Sequence, residues 1–282
     1  MKTMVFIFAI ISMALFCTPG FSQESGDSDR ALLVVNDDPS IKLTLKGRAG
    51  NIELKSASSS KEGHAEVDYQ KGRGFVTFNR EDQILTWKPD IKYTLNRMSK
   101  SIKKKAPYLR AEIPRNAEVD FHLDITSVGY GTLDFGNLNL RRFKLDVNYG
   151  DVDVSFPTEN QSIVRGEAKF HVMAGDLEIY DLANLKAAKI KINGGVGEIS
   201  VDFGDKLLRD TQVALDMDIG SLDLTIPRGT RVQIRNTSRD LTPWGFEKKD
   251  KLWETTGHSP KSPLLEIKLR GPMGDFELQW KN

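Results

Sequence analysis

Gly175-Asp176-Leu177-Glu178-Ile179 and Gly197-Glu198-Ile199-Ser200-Val201 are two copies of one phrase: a glycine, a polar residue, an aliphatic, a polar residue, an aliphatic. Further copies are Gly150-Asp151-Val152-Asp153-Val154, Gly220-Ser221-Leu222-Asp223-Leu224, Gly274-Asp275-Phe276-Glu277-Leu278 and, with an aromatic in the last place, Gly131-Thr132-Leu133-Asp134-Phe135. Gly50-Asn51-Ile52-Glu53-Leu54 is an early, weaker copy. From Gly131 to Gly220 the glycines are 19, 25, 22 and 23 residues apart. A fixed-phase repeat near that period signals stacked β structure, because one unit cannot bury its apolar face alone. The two aliphatics of each phrase alternate along a strand and so share a face. This predicts an inward set of Leu133, Val152, Val154, Leu177, Ile179, Ile199, Val201, Leu222 and Leu224. The glycine is read as the corner before each strand, and the acid after it as an outward, turn-bonding residue. The fold class expected is all-β: an elongated, β-solenoid-like stack of short strands. The intervals are too irregular for a strict hexapeptide coil. They also lack the paired glycines and nine-residue period of calcium-binding β-rolls.

Outward from the repeats, period-two alternation continues. Ile41, Leu43 and Leu45 alternate with Lys42, Thr44 and Lys46, and Ala65, Val67 and Tyr69 alternate with Glu66 and Asp68, as in half-buried strands. Residues 109–119 and 222–232 each read as strand, Pro-Arg turn, strand, with Pro114-Arg115 and Pro227-Arg228 at the exits of predicted hairpins. Residues 182–188 could form a helical turn or two. Residues 240–263 carry Pro243, Trp244, Gly245, Phe246, Trp253 and Pro260 and read as a long loop capping one end of the stack.

The first residues read as an export signal. Lys2 is followed by an apolar run from Met4 to Cys17, and Gly20-Phe21-Ser22 offers small residues for cleavage before Gln23. The run is shorter than the roughly 20 residues of a bilayer span. Cys17 would be the acylated residue of a lipoprotein, but Phe16 before it is too bulky for that processing. The organisation expected is a signal peptide over 1–22, a flexible leader over 23–30 and one repeat domain over 31–282. No transmembrane segment is expected in the mature chain, which would be periplasmic, cell-surface or secreted. The single cysteine lies inside the signal, so the mature chain would depend on its core rather than on disulfides. The formal net charge of +1 falls to zero without Lys2. A neutral chain with interspersed charges has no global pull toward nucleic acid.

The signal, the Ile-Pro-Arg turns at Ile113-Pro114-Arg115 and Ile226-Pro227-Arg228, and the Gly-Asp-Val-Asp-Val and Gly-Asp-Leu-Glu-Ile repeats resemble the bacterial putative-adhesin domains built of β-strand repeats. Those domains are similar in style to the toast-rack domains of envelope-stress proteins. The resemblance is strongest over 109–227. It implies an all-β, envelope-located protein and brings no catalytic residues with it.

Candidate sites are few. Arg97, Lys100, Lys103, Lys104 and Lys105 form a local basic segment between Tyr93 and Tyr108 that could hold an anionic envelope polymer; a charge run of this kind is more often a solvated loop. Trp244, Phe246 and Trp253 could offer aromatic contacts to sugars or proteins, or could plug the open end of the stack. Asp120, His122 and Asp124 share one strand face, but no second His or Cys cluster has ligand spacing. No metal or cofactor site is expected, and no Gly-x-Ser-x-Gly elbow or mature cysteine supplies a nucleophile. The function expected is a non-enzymatic exported envelope or surface protein, an adhesin-like binding or structural module for an envelope component or surface glycan. A polysaccharide-acting β-helix enzyme and a regulatory partner of an envelope-stress system are the alternatives.

Overall fold

The computed structural model describes residues 30–34, 40–68, 74–79, 81–82, 84–89, 108–259, 261–270 and 274–281. Among them the protein is all-β, with two short 3-10 turns and no α-helix. The chain opens with β1 (Arg30–Val34), the long β2 (Ser40–Ser56), β3 (Glu62–Asp68), β4 (Gly74–Asn79), β5 (Ile84–Pro89) and β6 (Tyr108–Ile113). It continues through β7 (Glu118–Asp134), β8 (Asn139–Tyr149), β9 (Val152–Ser155), β10 (Val164–Tyr180), β11 (Ala187–Asp202) and β12 (Thr211–Pro227). It closes with β13 (Arg231–Arg235), β14 (Phe246–Lys249), β15 (Leu252–Thr255), β16 (Leu264–Arg270) and β17 (Phe276–Lys281).

The central rungs are parallel and follow one another in chain order. β2 pairs with β7, β7 with β8 and β9, and those two with β10. β10 then pairs with β11, β11 with β12, and β12 with β16 and β17. Each rung has two arms that meet at a glycine. The strands run through this corner rather than starting at it, so β2, β7, β10 and β12 are each 17 residues long and not the short strands expected.

The corner glycines form a column. Gly175 pairs with Gly197 and Gly197 with Gly220, and at the near end Gly50 pairs with Gly129. Gly175 and Gly197 have φ of 129° and 142°, which an L side chain adopts only under strain. A Cβ on Gly197 would also be driven into the carbonyl oxygen of Gly175, and one on Gly175 into that of Gly150. The column needs glycine for both reasons. Its member in β7 is Gly129; Gly131, the glycine of the recognised phrase, pairs with Ile52 and Val152 one step into the second arm.

The nine predicted inward aliphatics are all buried. Inward residues of both arms and of the connecting segments make one core. Part of it is filled by aromatics: Phe143 lies 4.6 Å from Phe170 and 5.2 Å from Phe121, and Phe121 meets Phe135 edge-on at 4.9 Å. Offset and edge-on contacts of this kind add to simple burial. The buried Asn160 side chain accepts from the Leu140 N–H at 2.8 Å and donates to the carbonyls of Leu140 and Leu185, satisfying backbone groups that the connecting turns leave over.

The Pro-Arg segments are not hairpins. β6 and the start of β7 both pair in parallel with β2, and β12 and β13 both pair in parallel with β16. The turn between them is local: the Thr230 N–H bonds the Pro227 carbonyl at 3.3 Å, and Ala117 does the same to Pro114 at 3.2 Å. Asn116 and Gly229 carry the positive φ, 64° and 79°. A proline-led turn therefore moves the chain from one arm to the next rung without joining the two strands it links. Residues 182–185 form a single 3-10 turn.

Candidate binding faces

Outward side chains of the first arm stand in rows across the rungs. His122 lies opposite Lys144, Lys144 opposite Lys169, and Lys169 opposite Lys191. The row continues through Ala214 to Lys268 and Arg235. The row beside it alternates in sign: Lys42 faces Asp120 and Asp120 faces Arg142, while further along Glu167 faces Lys189. Lys42, Arg142, Lys144, Arg165 and Lys169, together with Asp120, His122 and Glu167, line a shallow groove of about 310 Å³. Arg142 and Asp120 are 3.7 Å apart, as are Lys144 and Asp146.

The second arm is acidic. Asp153 lies opposite Glu178, Asp176 opposite Glu198, and Asp223 opposite Glu277. Burial, reinforced by Glu277 and Asp275, pushes the Asp223 carboxyl up. A hydrogen bond to Glu178, with burial and the charges of Glu178 and Asp153, pushes the Tyr180 phenol up to about 12. Between the two faces runs a corner row that includes Tyr149, Val196 and Ile219, which are 41%, 53% and 50% exposed. Folding thus gathers acids on the second arm and lines up like-charged lysines on the first, where acids also stand in the neighbouring rows.

Burial first, and then the charges of Lys144 and Lys46, push the His122 imidazole below its usual value, against the pull of Asp124 and Asp146. The buried His122 Nε2 has no hydrogen-bond partner among the described residues. Asp120, His122 and Asp124 do not close around a point: among the described residues no group of three His, Cys, Asp or Glu side chains is arranged to hold a metal ion.

The aromatic candidates lie at the C-terminal end of the rungs. The segment expected as a loop contains the antiparallel hairpin of β14 and β15, which pairs with β13, preceded by a 3-10 turn at Thr242–Trp244. Phe246 is 2% exposed and stacks on Trp280 at 5.8 Å, and Trp253 is 6% exposed. Trp244 is half-buried, packs edge-on against Phe276 at 5.5 Å, and accepts at its carbonyl from Trp280 Nε1 at 2.9 Å. Phe246 and Trp253 are thus part of the core, and Trp244 packs against it. Arg97, Lys100, Lys103, Lys104 and Lys105 lie outside the described residues.

The lysine row had a sequence signal that the phrase alone hides. Lys144, Lys169, Lys191 and Lys268 each stand six residues before a column glycine: Gly150, Gly175, Gly197 and Gly274. Reading backward from the glycine as well as forward separates a basic arm from an acidic one.

No family model and no curated protein matches the chain. Among solved structures, a "putative cell adhesion protein" from Clostridium sporogenes is similar at 12% identity and a TM-score of 0.39, covering 89% of this chain and 99% of its own. A "putative adhesin" from Bacteroides fragilis is similar at 15% identity and a TM-score of 0.38, covering 88% of this chain and 95% of its own. Among the described residues no helix is long and apolar enough to cross a membrane.

Proposed function

We propose that the protein is a non-enzymatic, adhesin-like binding module of the bacterial envelope or surface, exported by its N-terminal signal. Its repeats form an elongated β-solenoid that meets its partner with a face rather than a pocket. The observation that carries this reading is that a near-neutral sequence sets a row of lysines on one arm and an acidic face on the other arm of the same parallel rungs. Folding needs only that outward residues be polar; it does not need their signs separated. A regular array of like charge over many rungs suits an extended partner and makes binding salt-sensitive. The basic segment at Arg97, Lys100, Lys103, Lys104 and Lys105 belongs to the same proposal as a further anionic contact, whereas Trp244, Phe246 and Trp253 serve the end of the stack.

The test is retention of the mature protein on an array of acidic and neutral glycans, followed by sizing of the bound polymer. Retention with the polymer length unchanged is the expected result. Shortened chains, or new reducing or unsaturated ends, would make the protein a polysaccharide-acting enzyme and end this reading.

A further inference from the structure

The lysine row of the first arm runs against the needs of the sheet. Like charges directly across a strand pair are destabilising, yet Lys144, Lys169 and Lys191 stand opposite one another on three consecutive strands. The adjacent row shows the ordinary solution, with Asp120 between Lys42 and Arg142. Local acids neutralise the lysine row only in part. Lys144 has Asp146, and Lys169 has Glu167, each at 3.7 Å. Lys191 and Lys268 have no acid within ion-pair distance among the described residues. Lys169, Lys191 and Lys268 are exposed. Neighbouring strands are about 4.8 Å apart, so Lys144, Lys169 and Lys191 offer one cation per rung on three adjoining rungs, with Lys268 beyond the gap at Ala214.

We infer that this row is a track for a linear anionic polysaccharide carrying one carboxylate per sugar residue. The inference rests on the binding-module reading and names its ligand class. One sugar of an extended chain advances about as far as one rung, so successive carboxylates can meet successive lysines. Acids flank the row on both sides, Asp120 and Glu167 on one and Asp146 and Asp216 on the other. Ionised carboxylates accept hydrogen bonds and donate none, so they suit the hydroxyl groups of a sugar. Duplex DNA carries one charge per roughly 1.7 Å of axis, a spacing much closer than that of the rungs. A lipid surface spreads its charge over a plane, whereas here the like-charged row is a line, because the row beside it alternates Lys42, Asp120 and Arg142.

The experiment is titration of the full mature chain with polygalacturonate at low and at physiological salt. It is repeated with the triple variant Lys144→Gln, Lys169→Gln, Lys191→Gln and with an acidic-face variant, Asp176→Asn, Glu198→Gln, Asp223→Asn. The wild type binds, more weakly as salt rises. The lysine variant loses affinity at least about tenfold while its melting temperature stays the same or rises, because the repulsion is gone. The acidic-face variant binds at least as well as the wild type, and duplex DNA and phosphatidylglycerol vesicles bind more weakly than polygalacturonate. Undiminished affinity in the lysine variant, no binding by the wild type, or tighter binding of DNA or vesicles would each overturn the inference. A wild type that is retained on other glycans but ignores polygalacturonate overturns this inference alone and leaves the binding-module reading standing.

Discussion

At the residue scale, two glycines with positive φ have different reasons for being glycine. Gly229 has φ 79° with nothing within 4 Å of a would-be Cβ, whereas Gly197 has φ 142° and faces the carbonyl of Gly175. Gly229→Ala should therefore cost only backbone strain, about 1 kcal/mol. Gly197→Ala adds a collision between rungs and should cost more than about 2 kcal/mol; urea midpoints of the two variants measure the difference. His122 gives a second residue-scale expectation. Its lowered value is set by burial and by Lys144 and Lys46, with Asp124 and Asp146 opposing. Between that value and the unfolded one near 6.5, the unfolded chain holds a proton that the folded chain lacks. Stability thus rises with pH through this window and is lost on acidification below about 6.5. Thermal melts from about pH 5 to pH 7.5 should show a flatter slope for His122→Gln; equal slopes would place the effect elsewhere.

At the element scale, the connecting turns and the end cap are more than loops. Asn160→Ala would strip partners from the backbone groups of Leu140 and Leu185 inside the core, for a loss of about 2 kcal/mol. Trp253→Ala should cost about 3–5 kcal/mol, as for a large buried ring, and calorimetry of the variant would show a correspondingly lower melting temperature. An unchanged melting temperature would mean that the hairpin of β14 and β15 does not close the core. These elements also show what the sequence exposes and what it hides. The alternation of Val152 with Asp153 and of Leu177 with Glu178 is a local fact, so the inward set could be read directly. The partner of a strand is not local. Pro114-Arg115-Asn116 and Pro227-Arg228-Gly229 look the same whether their strands pair with each other or with a neighbouring rung, and the hairpin reading was wrong for that reason. Gly129 and Gly131 are two residues apart, and only the pairing with Gly50 singles out the first. The sign of each face was hidden similarly: Lys169 and Glu178 both sit at outward positions of β10, and only the bend at Gly175 puts them on different faces.

At the scale of the whole molecule, the glycine column is also a set of splice points. Gly150, Gly175 and Gly197 occupy equivalent places, and each of these rungs pairs its backbone with the rung on either side. Excising residues 175–196, 22 residues, joins Ala174 to Gly197 and hands the second arm of β11 to the first arm of β10 with every side chain on its proper face. Such a protein should still fold, shorter by one rung, with an unchanged circular dichroism shape and a lower melting temperature. Excising 175–197 instead deletes the corner and shifts the joined strand by one, which turns apolar residues outward; that protein should aggregate. A coding sequence that gains or loses one unit in this phase should therefore still specify a folded product. The length of the charged faces would then change in steps of one rung.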